Sequence, residues 1–160
     1  MVVGTAKDMH LHPRTDAGGY IHVYRLLDNG KRFSLLHKTP VEALPGALCG
    51  FQGRLLVGMG KLLRIYDMGR KKLLRKCENK AFPNMIRSIT TQGDRIIIGD
   101  LSESFHYVKY RKSENQLVTF ADDFLPRWLT AHQLGVVSLS LSVCLCVCVC
   151  VCVCVLYLSL

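Results

Sequence analysis

Phe51–Glu78 reads FQGRLLVGMGKLLRIYDMGRKKLLRKCE, and Thr91–Asp123 reads TQGDRIIIGDLSESFHYVKYRKSENQLVTFADD. The two stretches carry one pattern. Gln-Gly leads to an Arg, then to an aliphatic triplet and a Gly. An alternating segment, a basic turn and a further apolar run follow. Gly58 and Gly99 are 41 residues apart. A looser third copy starts at Val2-Val3-Gly4 and resumes at Tyr20–Leu27 and Phe33–His37, with an insertion at about Lys7–Ala17. A period of about 40 residues with several short strands per unit is that of a propeller blade, whose sheet cannot bury both faces alone. The alternative is a β-sandwich with accidental similarity between its halves. Fixed spacing is a stronger signal than strand propensity, so the expected fold class is all-β: a partial, incomplete β-propeller of about three blades.

Turn chemistry supports strands throughout. Asp28-Asn29-Gly30 separates Tyr20–Leu27 from Phe33–His37, and Asn-Gly between apolar runs predicts a tight hairpin turn with positive φ at both central residues. Strands are also expected at Leu55–Val57 and Leu62–Tyr66 around Gly58-Met59-Gly60. Others are expected at Leu73–Lys76, Arg95–Ile98, Phe105–Tyr110 and Gln116–Ala121. No stretch holds a helical 3.6 period.

Composition divides the 160 residues in two. All 21 Lys and Arg and all 12 Asp and Glu precede residue 135, so the net charge of +9 belongs wholly to residues 1–134. A basic balance raises the prospect of an anionic partner, such as nucleic acid or an acidic protein surface. Of the eight Cys, Cys49 and Cys77 are isolated and suit core positions. The other six alternate strictly from Cys144 to Cys154, which is not a secreted disulfide framework. Lys7 and Asp8 stand where a secretory leader would be apolar, so a reducing intracellular compartment is expected.

Three strings carry a resemblance: LLHKTPVEALP (Leu35–Pro45), GKLLRIYDMGRKKLLRKCENK (Gly60–Lys80) and ENQLVTFADDFLPRW (Glu114–Trp128). They resemble the family of the third subunit of splicing factor 3b, a propeller protein of the U2 small nuclear ribonucleoprotein. The similarity runs from about Val2 to Thr130. The wider family includes the large subunits of the cleavage and polyadenylation specificity factor and of damaged-DNA-binding protein. The resemblance implies a nuclear, non-catalytic scaffold of pre-mRNA splicing, with other splicing factor 3b subunits and U2 proteins as partners and RNA contact as an extra. This chain would be part of the last propeller. A related scaffold of mRNA 3′-end processing or of a ubiquitin ligase is the alternative within the group. Asp8–Arg14 (DMHLHPR) departs from the family pattern, and the family continues into another blade where this chain runs into its tail.

That tail, 135–160, is a low-complexity Val-Cys run. It reads as translated dinucleotide repeat, because alternating GTG and TGT codons yield Val-Cys indefinitely. Two other readings are a membrane anchor, since about 20 apolar residues span a bilayer, and a thiolate metal site with every Cys on one strand face. A tail-anchored membrane protein is therefore the reading from a different class.

Catalytic patterns do not complete themselves. Gly53 and Gly58 have phosphate-loop spacing, but Met59 stands where Lys is required. Asp8, His10 and His12 sit together in a polar insertion that reads as surface loop. Asp122-Asp123 reads as a turn. No cofactor, metal or catalytic residue is expected. The interaction candidate is the basic run Arg70, Lys71, Lys72, Arg75 and Lys76, on a predicted hairpin where charges reach phosphates or acidic side chains.

Overall fold

The computed structural model describes residues 1–15, 17–102 and 105–123, together with the backbone of two later strands at 132–136 and 153–157. Thirteen strands form the body in chain order: β1 Val2–Ala6, β2 His10–Leu11, β3 Arg14–Thr15, β4 Gly19–Leu27, β5 Arg32–Val41, β6 Pro45–Phe51, β7 Arg54–Met59, β8 Leu62–Met68, β9 Leu73–Asn79, β10 Ile86–Gln92, β11 Arg95–Asp100, β12 Phe105–Arg111 and β13 Gln116–Asp123. Beyond them, β14 His132–Val136 pairs in parallel with β15 Val153–Tyr157. The readings of the Val-Cys tail as anchor or thiolate site lie otherwise outside the described residues.

Three antiparallel sheets follow the repeat. The first is β1-β4-β5, the second β6-β7-β8-β9 and the third β10-β11-β12-β13. The small β2–β3 hairpin occupies the expected insertion. The all-β, propeller-like architecture is thus the one expected from the repeat. The first sheet matches strands two to four of the others, because Gly4, Gly58 and Gly99 hold one register position, paired with Ile21, Leu63 and Phe105.

Strand alternation sends neighbouring side chains to opposite faces, so the second sheet buries both. Leu55, Val57, Tyr66 and Leu73 meet Ile21, Val23 and Val41 of the first sheet. Leu56, Leu63 and Ile65 meet Ile96, Ile98, Val108 and Tyr110 of the third. Glycine at the repeat position allows this approach. A Cβ on Gly58 would lie 2.5 Å from Ile86 Cγ2, and one on Gly4 would lie 2.9 Å from Pro45 Cγ. In both cases the neighbour is the first residue of the next sheet's leading strand. Hydrogen bonds repeat the contact at the outer strands. Thr39 Oγ1 accepts from the Leu73 amide at 3.0 Å, and Asn79 Nδ2 donates to the Leu117 carbonyl at 3.1 Å.

Four details correct the sequence expectations. Gly58 and Met59 lie inside β7, and the turn is Gly60-Lys61, with Gly60 at φ +53°. The β4–β5 turn is longer than a two-residue turn, because Leu27 pairs with Arg32. Asp28, Asn29 and Gly30 all take positive φ there, and Arg32 is ion-paired to Asp28 across the turn. Asp122 and Asp123 end strand β13 instead of forming a turn, since Asp122 pairs with His106 and Asp123 with Phe105. Cys49 and Cys77 are half-buried and pack against the core rather than within it.

Candidate functional site

The β8–β9 hairpin carries the basic run, as the sequence suggested, but divides it. Arg70, Lys71 and Lys72 form the turn and are exposed. Arg75 and Lys76 lie on β9 and turn to carboxylates: Arg75 Nη2 is 3.2 Å from Glu42 Oε1, and Lys76 Nζ is 3.7 Å from Asp67 Oδ2. A bulge between Ile65 and Tyr66 pairs Tyr66 with Arg75 and Ile65 with Cys77, leaving Lys76 without an opposite residue. No carboxylate lies within 4 Å of Arg70, Lys71 or Lys72 among the described residues.

Beside this hairpin, Arg64 is buried on β8 at 3% exposure. Its guanidinium donates to the Tyr66 hydroxyl at 2.9 Å, to Glu78 at 2.9 Å from Nε, and to Glu42 at 3.1 Å. Five fixed donors let one Arg serve all three acceptors. Burial opposes its charge, yet the bonds to Tyr66, Glu78 and Glu42 outweigh burial and raise its pKa above the ordinary guanidinium value. The same bond from Arg64 lowers the Glu78 carboxyl below its usual range, against the opposing effect of burial. Burial raises the Cys77 thiol, so its thiolate is scarce and the residue is a poor nucleophile.

A second buried polar cluster was missed in the sequence. His106 on β12 is 2% exposed. Its Nδ1 lies 2.6 Å from Asp122 Oδ1 and its Nε2 lies 3.1 Å from Asp100 Oδ2. Asp100 is wholly buried and also accepts the Ser102 amide at 2.9 Å. The Phe82 ring meets the imidazole edge-on, with centroids 5.5 Å apart. The cluster resembles two members of a hydrolytic triad, but neither ring nitrogen faces a hydroxyl or thiol. The signal that could have found it is spacing: His22, Arg64 and His106 are 42 residues apart. Each follows the residue paired with the repeat glycine.

The remaining candidates stay apart. His10 and His12 are exposed in the β2–β3 hairpin, and no cluster of three metal-ligating side chains occurs among the described residues. No helix among them is long and apolar enough to cross a membrane.

Comparison with known proteins places this geometry. Residues 1–140 match the family described as the CPSF A subunit region. The chain belongs to that family. Within the CPSF A subunit family, it is 61% identical over 132 residues to Spliceosome-associated protein 130 A of Arabidopsis thaliana, covering 82% of this chain and 11% of the relative. It is 58% identical over 130 residues to Splicing factor 3B subunit 3 of Danio rerio, covering 81% and 11%. The Drosophila melanogaster protein of that name is 50% identical over 134 residues, covering 84% and 11%. The chain therefore spans about a tenth of the length of these relatives. The resemblance to the splicing factor 3b subunit, drawn from three strings, extends over most of the chain.

Proposed function

We propose that this chain is a non-catalytic scaffold module of pre-mRNA splicing, acting in the nucleus through contacts with other splicing factor 3b subunits and U2 small nuclear ribonucleoprotein proteins. The observation that carries the reading is identity of 50–61% with relatives named for splicing, over more than four-fifths of the chain. The geometry supports it. Buried Arg64 and Thr39 are spent on joining sheets, while the exposed cations Arg70, Lys71 and Lys72 are left for a partner, with RNA phosphates as a further contact. In this reading residues 1–134 form the working body. Residues 135–160 are translated repeat rather than an anchor, which sequencing the transcript across codons 133–143 tests.

The scaffold reading is tested by expressing the epitope-tagged chain in cells of its source. Nuclear accumulation and co-purification with the named splicing factor 3b subunits are expected. A cytoplasmic chain that leaves those subunits behind overturns the reading.

A further inference from the structure

Antiparallel order puts the β4–β5, β6–β7, β8–β9, β10–β11 and β12–β13 turns at the same end of their sheets. Gln52 Nε2 donates to the Gly93 carbonyl at 3.1 Å, which ties two of these turns together across sheets. Acidic residues at this end are all engaged. Asp28 faces Arg32, Asp67 lies 2.6 Å from Arg54, Asp94 lies 3.2 Å from Lys109, and Glu114 lies 3.4 Å from Arg111. Arg70, Lys71 and Lys72 remain, with exposed Lys31 and Lys112 on the flanking tips. The opposite end holds Glu42, Glu78, Asp100 and Asp122 together with exposed Lys61, Lys80 and Arg87.

Between the first and second sheets, a groove of about 300 Å³ reaches this turn. Lys72, Leu74 and Arg75 line it from one side, and Thr39, Pro40 and Glu42 from the other. Leu74 is 51% exposed, which gives the groove an apolar wall. Glu42 already seats a carboxylate there, on Arg75 at 3.2 Å and Arg64 at 3.1 Å. Its side chain is 67% exposed and that of Arg75 is 54% exposed, so an incoming carboxylate has access to Arg75, while Arg64 stays buried.

We infer that this groove and the turn above it bind an acidic, leucine-bearing segment of a partner protein. One carboxylate competes with Glu42 for Arg75, others meet Lys72, Lys71 and Arg70, and an apolar side chain rests on Leu74 and Pro40. Charge-assisted bonds to Arg give such pairing its strength. The apolar wall and the burial of Tyr66, the one ring lining the groove, favour protein over nucleic acid, whose bases stack on exposed rings. The inference rests on the reading of the basic hairpin as a partner surface, and it names that partner's chemistry.

The test is fluorescence anisotropy on the whole chain with a labelled peptide of alternating Glu and Leu, beside an oligouridine of equal charge. Saturable peptide binding is expected. R70E/K71E/K72E weakens it roughly tenfold or more, and Glu42→Gln tightens it by removing the internal competitor. Lys61→Glu, on a turn at the opposite end, leaves it unchanged. Absence of saturable binding overturns the inference, as does indifference to both the triple substitution and Glu42→Gln. Tighter binding of oligouridine through the same cations replaces it with a nucleic-acid site. Peptide binding by a chain that stays out of splicing complexes removes the splicing reading and leaves the groove, while the reverse result removes the groove alone.

Discussion

In the second sheet the buried position paired with Val57 holds Arg64, and in the third the position paired with Ile98 holds His106. Each faces the preceding sheet, and each pairs with a carboxylate on its own outer strand, Glu78 or Asp122. They differ in what the preceding sheet contributes. Arg64 receives Glu42, three residues past Thr39, whereas His106 receives Phe82, three residues past Asn79. Guanidinium has donors to spare after Glu78 and Tyr66 are served. Imidazole has two nitrogens, and two carboxylates of its own sheet use both. One sheet-to-sheet contact is therefore partly ionic and the other is closed by an aromatic ring, although the backbone register is the same.

The comparison breaks hardest where these side chains are removed. Arg64→Ala leaves Glu78 without its buried partner and should cost about 3–5 kcal/mol. Phe82→Ala, at 4% exposure, should cost about 3–5 kcal/mol by emptying apolar volume. At the equivalent position Glu42→Ala should cost at most about 1 kcal/mol, because its side chain is mostly exposed. Urea midpoints of the three variants check this. Equal losses at Glu42 and Phe82 would mean that the two contacts are energetically alike.

Gly58→Ala probes the contact itself. The added methyl would lie 2.5 Å from Ile86 Cγ2 and 2.9 Å from Ile86 Cβ, and β10 must shift to admit it. Overpacking of this kind costs roughly 1–3 kcal/mol. In an Ile86→Ala background, which lacks the Cγ2 that the methyl would meet, Gly58→Ala should cost less than it does in the parent in a thermal melt. A neutral Gly58→Ala would show that the sheets are not held at that distance.

Acid sharpens the ionic side. The Glu78 carboxyl is lowered in the folded chain by the Arg64 hydrogen bond, so it binds its proton less readily than in the unfolded chain. Its contribution is present above the ordinary carboxylate value of 4.5 and is lost as pH falls through the lower folded value. Glu78→Gln should therefore be less stable than the parent near pH 7, and the gap should close as pH falls below about 4.5. A gap that stays constant across that range would remove the ionic account of Arg64.

How legible this was depended on what each strand asks of its residues. β7 and β8 read clearly because Leu, Ile, Val and Tyr alternate between two sheet-to-sheet contacts, and β11 and β12 because Ile, Val and Tyr recur on the face that meets the second sheet. β6, PGALCGF, and β10, IRSITTQ, were not predicted. In β6 a Cβ on Gly46 would sit 2.8 Å from the Ile86 carbonyl, a closeness that excludes a bulky strand former there, whereas β10 carries Ile86, Ile89, Thr90 and Thr91 and was legible in principle. The basic turn was visible as a charge run, but the loss of Arg75 and Lys76 to Glu42 and Asp67 depended on the packing of β9 against β8 and the first sheet, which no propensity encodes. Asp122 was misread as a turn because Asp disfavours strands. Its strand position follows from His106, 16 residues away in sequence and directly opposite in register.

The first sheet supplies the mildest test, because its version of the position lacks an acid. His22 pairs with Lys38 rather than with a carboxylate. Its Nε2 lies 3.1 Å from Thr5 Oγ1, its Nδ1 has no hydrogen-bond partner among the described residues, and its ring stacks on Tyr24. Lys38 lies over the Tyr20 ring at 3.5 Å. Lys38→Glu should give His22 the outer-strand carboxylate that Glu78 gives Arg64, at the loss of the cation–ring contact. The variant should stay within about 1 kcal/mol of the parent in a urea melt, because an exposed ion pair and an exposed cation–ring contact are each worth no more than that. A loss well beyond that would mean that the Lys38–Tyr20 contact, rather than the stacking of His22 on Tyr24, holds the position.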